Sequence, residues 1–365
     1  MLRLYLIMRI VITYDQGSGK DARKKMNNRK PSFIAFAMLL SFALLLMSAC
    51  SSNSGTENAG SPSPSASEAA ANPIASEEAS FPRTIQAANG AIAIEKKPQK
   101  VAVVHWGYAD SLLLFDLPSV GLALPFTEKQ SVLHSDSYKP YVDRLGELVV
   151  VGENTAVNME ALLAYAPDLI IAGNAINKDI VADLEKIAAT VVIDETKADV
   201  WGDWPSVVTE FGRILGQEET AEKYIADFRA KVREANEKLA DVEGSVAFVQ
   251  VREKEAWFQG TKYLPTYYEG LGLAPPDSAD REEGAQLSLE SLSALDPDHL
   301  FLGYFNYSDR SVPGVADEWK DTAVWKKLKA VQNGRVYEIN GELALGYGPI
   351  GHSYGVQAVL EALDE

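Results

Sequence analysis

Asn158 to Gly173 reads NMEALLAYAPDLIIAG, and Ser288 to Gly303 reads SLESLSALDPDHLFLG. Laid over each other without a gap, they share a Glu, a Leu, an Ala, a Pro-Asp pair and the closing Gly. Each opens on a residue whose side-chain oxygen can accept a free backbone N–H, Asn158 or Ser288. Each then runs as a helix of about two turns until Pro167 or Pro297 stops it. An apolar strand follows at once. Glu160 and Glu290 fall at the second helical position. Complementing the helix dipole explains an acid in a first turn, worth about 0.3–1 kcal/mol. It does not require the same position in two units so far apart. Two matched acids make a two-point docking surface for a partner with matching cations.

Outward from these units the chain alternates strand and helix. KVAVVHW (Lys100–Trp106), SVGLAL, LVVVG (Leu148–Gly152), DLIIAG (Asp168–Gly173) and TVVID (Thr190–Asp194) are apolar, β-branched runs typical of buried strands. ADSLLLFDL and DIVADLEKIAA between them read as helices. SVAFVQV (Ser245–Val251) opens a second such set, with LPTYYEGLGL, VWKKLKAVQNGRVYEI and HSYGVQAVLEALDE after it. The order predicts an α/β protein of two lobes with mostly parallel sheets. Between the sets, Glu218 to Ala240 has no Gly or Pro and places Ala221, Tyr224, Ile225, Phe228, Val232, Ala235 and Leu239 on one face at spacings of three and four. This predicts one helix of about 23 residues, roughly 34 Å long, either covering a sheet or spacing two lobes. The lobes are expected at 81–215 and 242–365, with the helix at 216–241 and the ligand cleft between them.

The first 80 residues read differently. Asn27-Asn28-Arg29-Lys30 is basic, Phe33 to Met47 is apolar but for Ser41, and Met47-Ser48-Ala49 precede Cys50. That order is a secretory signal over 26–49, too short for a comfortable transmembrane helix. Cys50 is the only cysteine, so the exported part needs no disulfide; at this place it reads as the lipid-carrying first residue of the mature chain. Residues 1–25 read as an extension before a more natural start at Met26. Residues 50–80 are rich in Ser, Ala, Pro, Asn and Glu and read as a disordered tether. Residues 1–50 carry eight of the 34 basic and two of the 51 acidic residues, leaving a formal charge of −23 on the rest. Such a surface argues against nucleic acid and anionic membrane as partners, leaving the lipid anchor as the membrane contact.

KPQKVAVVHWGYADSLLLFDLPSVGLA, the two repeats and WKKLKAVQNGRVYEI, in this order and after a lipobox, resemble the substrate-binding proteins of ABC importers for ferric siderophores and cobalamin. The resemblance covers about Phe81 to Glu365. It implies a long helix joining two lobes that move little. It implies that Glu160 and Glu290 form salt bridges to arginines of the permease, which works with a cytoplasmic ATPase. The transported ligand would be a ferric siderophore, with no resident cofactor and no catalysis.

Residues at the C-terminal ends of the strands should line the cleft. In the first lobe these are His105, Trp106, Tyr108, Asn174, Trp201 and Trp204. In the second they are Arg252, Trp257, Tyr263, Tyr304, Tyr307, Arg310, Tyr347 and His352. Aromatic rings offer broad apolar faces with a polar tip, and Arg offers a planar fork for carboxylate, hydroxamate or catecholate oxygens. Trp106, Tyr108, Trp201, Trp204, Arg252, Tyr263, Tyr304 and Tyr347 are the selected ligand residues. Family members for citrate and hydroxamate chelates often read Leu-Glu-Trp where this chain has Val104-His105-Trp106. In the run AGNAINKD at the end of the DLIIAG strand only Lys178 is basic, which favours a hydroxamate or citrate–hydroxamate complex over a triscatecholate. A cobalamin or haem binder of the same fold is the alternative. A direct metal-ion binder is a lower one, because His105, His134, His299 and His352 are scattered.

Overall fold

The computed structural model describes residues 81–307 and 310–364. The extension, signal, Cys50 and tether lie outside these. Among the described residues no helix is long and apolar enough to cross a membrane. A hairpin of β1 (Arg83–Ala87) and β2 (Gly90–Ile94) opens the described chain. It is tied to the first lobe where the Ala88 N–H donates to the Val192 carbonyl at 2.8 Å.

The first lobe holds β3 (Lys100–Val103), β4 (Ser119–Ala123), β5 (Glu147–Glu153), β6 (Ala156–Val157), β7 (Leu169–Gly173) and β8 (Ala189–Ile193). They form one sheet in the order β6-β5-β4-β3-β7-β8, parallel throughout except at β5–β6. Helices α1 (Ala109–Leu113) and α2 (Met159–Tyr165) belong to this lobe. After α3 (Trp204–Leu215) the chain runs through α4 (Glu218–Lys238), whose 21 residues stop two short of the helix expected to Ala240.

The second lobe has β9 (Val246–Val251), β10 (Ala256–Phe258), β11 (Ala285–Leu287), β12 (His299–Tyr304) and β13 (Val336–Asn340), in the order β11-β10-β9-β12-β13. β9, β12 and β13 are parallel, while β10 runs antiparallel to β9 and β11. Its helices include α5 (Leu289–Leu295), α6 (Gly341–Ala344) and α7 (Pro349–Leu363).

The long helix both packs and joins. Ala221, Ile225, Phe228 and Ala235 bury its inner face. One apolar core runs from Val101, Phe115 and Phe211 through Ile225 and Phe228 to Phe248, Tyr267 and Phe301. The lobes therefore share a core and do not hang on a bare strut. Gly212 of α3 allows the closest approach to α4: a Cβ there would stand 2.8 Å from Cβ of Ala221.

The repeated sequence folds as a repeated unit: an edge strand, a cap, a seven-residue helix, then a strand. The Asn158 side chain accepts the Ala161 N–H at 3.0 Å, and the Ser288 hydroxyl accepts the Ser291 N–H at 3.2 Å. Each helix ends in a left-handed residue, Ala166 at φ 50° and Asp296 at φ 38°. The shared Asp has one job in both lobes, pinning the start of the neighbouring parallel strand. Asp168 accepts the N–H groups of Gln99 and Lys100 at 2.9 and 3.1 Å, and Asp298 accepts that of Ser245 at 2.8 Å.

Three elements are shorter than their sequences predict. The first strand stops at Val103, because the His105 ring nitrogen Nδ1 accepts the Gly107 N–H at 3.1 Å and caps a 3₁₀ turn at Trp106–Tyr108. DIVADLEKIAA gives only a four-residue helix, Val181–Leu184, before β8 takes over. LPTYYEGLGL gives a five-residue π-type turn, Thr266–Gly270, in which Tyr267 is buried and donates to the Ala344 carbonyl at 2.5 Å.

Candidate functional site

Three aromatic residues from three separate segments meet between the lobes. Trp106 starts the turn after β3, Trp201 lies just before α3, and Tyr347 lies between α6 and α7. The rings of Trp201 and Tyr347 are 4.4 Å apart and nearly perpendicular, at 83°. Trp106 is 5.0 Å from Trp201 and 5.3 Å from Tyr347, edge-on to the latter at 67°. These separations suit edge-to-face aromatic contact. Tyr347 remains 38% exposed and Trp106 6%, while Trp201 is partly buried.

Beneath this cluster lies a buried polar layer. The His105 ring is fully enclosed and stacks on Tyr108 at 3.9 Å and 14°. Its Nε2 stands 3.6 Å from the Glu195 carboxylate, whose other oxygen accepts the N–H groups of Ala175 and Ile176 at 2.7 and 3.0 Å. Burial pushes the Glu195 carboxyl up, but the His105 contact and the two amides outweigh this and hold it below the ordinary value. Gly173 makes the layer possible: a Cβ there would stand 2.2 Å from Glu195 and 2.5 Å from His105. His105 thus faces inward, with its ring 6.1 Å from that of Trp106.

The second lobe adds charge. Arg252 follows β9 directly, is half-buried, and places its guanidinium 4.7 Å over the Phe305 ring. Its Nε is buried without a hydrogen-bond partner. Glu342 of α6 lies within electrostatic reach of both Arg252 and Tyr347. Burial pushes its carboxyl up to about 8, against the pull of Arg252 and with a smaller push from Asp110. Tyr263 is partly buried against the shared core. Next to it the Lys262 carbonyl lies 4.0 Å from where a Cβ of Gly202 would sit, beside Trp201.

Three of the selected residues are turned away from this surface. Tyr108 is fully buried under His105, edge-on to Phe211 at 5.7 Å. Trp204 sits at the first position of α3 and packs on Phe228 of α4 at 4.9 Å; the start of a helix against the long helix is a packing position. Tyr304 ends β12 fully buried, and its hydroxyl donates to Asp317 at 2.8 Å under the Arg310 guanidinium. All three stand at strand or helix ends, but their side chains point into the core. His352 is buried in α7, and burial pushes its pKa down to about 4. His299 is buried in β12, where its Nε2 lies 3.2 Å from the Glu243 carbonyl.

Glu195 and Glu342 escaped the sequence reading although both follow a strand closely, the same signal that selected Arg252. Asp110 also escaped it, inside a helix with no signal at all. Glu160 and Glu290 are exposed in the first turns of α2 and α5. Backbone and Ser288 hydrogen bonds hold the Glu290 carboxyl below its ordinary value, so it is ionised at neutral pH.

The family model described as periplasmic binding protein matches residues 101–343. The chain belongs to the periplasmic binding protein family. In this binding protein the matched span takes in both repeats, the long helix, Trp106, Trp201 and Arg252. The chain is 29% identical over 350 residues to the iron(3+)-hydroxamate-binding protein YxeB of Bacillus subtilis, covering 92% of this chain and 97% of that one. It is 25% identical over 315 residues to the Fe(3+)-citrate-binding protein YfmC of the same organism, covering 86% and 91%. Among solved structures, it matches a FhuD fold-family periplasmic binding protein component of a Fep/Fec-like ferrichrome ABC transporter from Bacillus subtilis. That match has a TM-score of 0.62 at 26% identity, over 77% of this binding protein and all of the other chain.

Proposed function

We propose that this binding protein captures a ferric siderophore between its lobes and hands it to the permease of an ABC importer. The observation that carries the reading is the cluster of Trp106, Trp201 and Tyr347 drawn from both lobes, with the Arg252 guanidinium beside it. Flat rings bury the organic shell of a chelate, and a planar cation pairs with its anionic oxygens. Relatives named for hydroxamate and citrate complexes of iron, aligned over most of both chains, support the same ligand class. A single arginine at the cluster suits a chelate of modest charge, which favours hydroxamate or citrate–hydroxamate over a triscatecholate.

Glu160 and Glu290 are the docking points for two cationic patches on the permease, whose ATPase lies on the cytoplasmic side. Their exposure and their matched place in the two repeats support this. Cys50 carries the lipid that holds the protein at the outer face of the cell membrane. Replacing Cys50 by Ser releases the protein into the medium if the anchor is real; retention at the membrane refutes it.

Calorimetric titration of the full-length protein with a ferric trihydroxamate, ferric citrate, a ferric triscatecholate, cobalamin and haem tests the ligand class. Saturable binding of a hydroxamate or citrate complex is expected. Binding of cobalamin or haem alone overturns the siderophore reading. Alanine at both Glu160 and Glu290 is expected to abolish uptake and leave affinity unchanged. Lost affinity in that variant places the acids in the ligand site and refutes docking.

A further inference from the structure

Helix α7 of the second lobe lacks a cap of its own. Its N-cap residue is Gly348, which has no side chain, and Pro349 at the first position has no N–H. The free amides of the first turn must find an acceptor elsewhere. Asp110 supplies it from the other lobe, 241 positions earlier. Its Oδ2 accepts the Gly351 N–H at 3.3 Å, and its Oδ1 accepts the Tyr138 hydroxyl. Asp110 is only 7% exposed. A Cβ on Gly348 would stand 2.6 Å from Cβ of Asp110, and Gly348 has a φ of +93°, a conformation that favours glycine.

What lies at the two ends of this link matters. Asp110 sits four residues after Trp106, in α1, which continues the turn that carries Trp106. Gly348 directly follows Tyr347. The link therefore ties the segment bearing Tyr347 to the element bearing Trp106, with Trp201 against both rings. Connecting segments are more mobile than the elements they join, and this link fixes one of them. We propose that Asp110 is a positioning residue that caps α7 across the lobes and thereby sets Tyr347 against Trp106 and Trp201. The binding surface is then assembled before a ligand arrives, which removes an ordering cost from capture. This rests on the reading of the aromatic cluster as the ligand site.

The test uses Asp110→Ala, Asp110→Asn and Gly348→Ala in the full-length protein. The near-ultraviolet circular dichroism of the ligand-free protein reads the packing of the aromatic cluster. Titration with a ferric trihydroxamate reads affinity. Asp110→Ala is expected to lose part of the aromatic signal and about tenfold in affinity, the scale of one lost helix cap. Asp110→Asn keeps an acceptor for the Gly351 N–H and is expected to restore both to near the wild-type values. Gly348→Ala crowds Asp110 from the other side and is expected to repeat the spectral change. A wild-type spectrum and affinity in Asp110→Ala overturn the proposal, and so does an equal loss in Asp110→Asn. If wild type binds no chelate, the ligand reading fails, while the spectra still decide the role of Asp110.

Discussion

At the scale of single residues, Arg252 and Glu342 divide the electrostatics of the cleft. Arg252 has a buried Nε without a hydrogen-bond partner and a ring beneath its guanidinium, and it is the cation of the proposed ligand site. Lys cannot reproduce the planar fork; Arg252→Lys is expected to weaken binding of a ferric hydroxamate or citrate complex about tenfold, read by titration. Glu342 adds a pH dependence whose sign follows from its raised pKa. The folded state holds this proton more tightly than the unfolded chain, so the contribution to stability is full below about pH 4.5 and is lost as pH rises through about 8. Ionised Glu342 also neutralises Arg252. Affinity for an anionic chelate is therefore expected to fall above pH 8 in wild type and to stay level in Glu342→Gln. Equal pH profiles of the two proteins contradict this. Sequence alone selected Arg252 by its place after a strand, and the same rule admitted Tyr304, whose ring turned inward to Asp317. Strand ends tell where a residue stands but not which way its side chain points; that depends on neighbours contributed by distant segments.

At the scale of elements, the repeated unit explains why an Asp follows Pro in both lobes. Asp168 holds two backbone N–H groups at the start of β3, and Asp298 holds the Ser245 N–H at the start of β9. Removing either leaves backbone donors without an acceptor, at a cost of about 1–3 kcal/mol. Asp168→Ala and Asp298→Ala are each expected to lower the urea midpoint, and the double variant to lose the sum, since the sites share no partner. A neutral effect in either lobe contradicts the common role. Gly173→Ala is expected to be worse than a surface change, because the new methyl group meets the His105–Glu195 layer. The repeats, the parallel strands and α4 were legible because period, Pro and capping residues agree over their whole length. DIVADLEKIAA and LPTYYEGLGL carried helical signals over too few residues to resist their surroundings. In the first, β8 begins almost at once; in the second, Tyr267 is drawn into the core.

At the scale of the whole molecule, the shared core through α4 and the cap from Asp110 to α7 join the lobes at two places. Large hinge motion would break both. The ligand-free and ligand-bound proteins are therefore expected to give closely similar small-angle scattering, in contrast to hinged binding proteins; a marked contraction on binding contradicts a shared core. Sequence indicated two lobes and one joining helix, but not that the core continues through that helix, because an amphipathic pattern shows which face is buried and not against how many partners. The central claim, that a ferric chelate is held against Trp106 and Trp201, is tested most directly by tryptophan fluorescence. Full-length protein is titrated with a ferric trihydroxamate and ferric citrate, beside a variant with Phe at both Trp106 and Trp201. Saturable quenching in wild type that largely vanishes in the variant is the predicted result. Unchanged quenching in the variant, or none in wild type with either complex, contradicts the account.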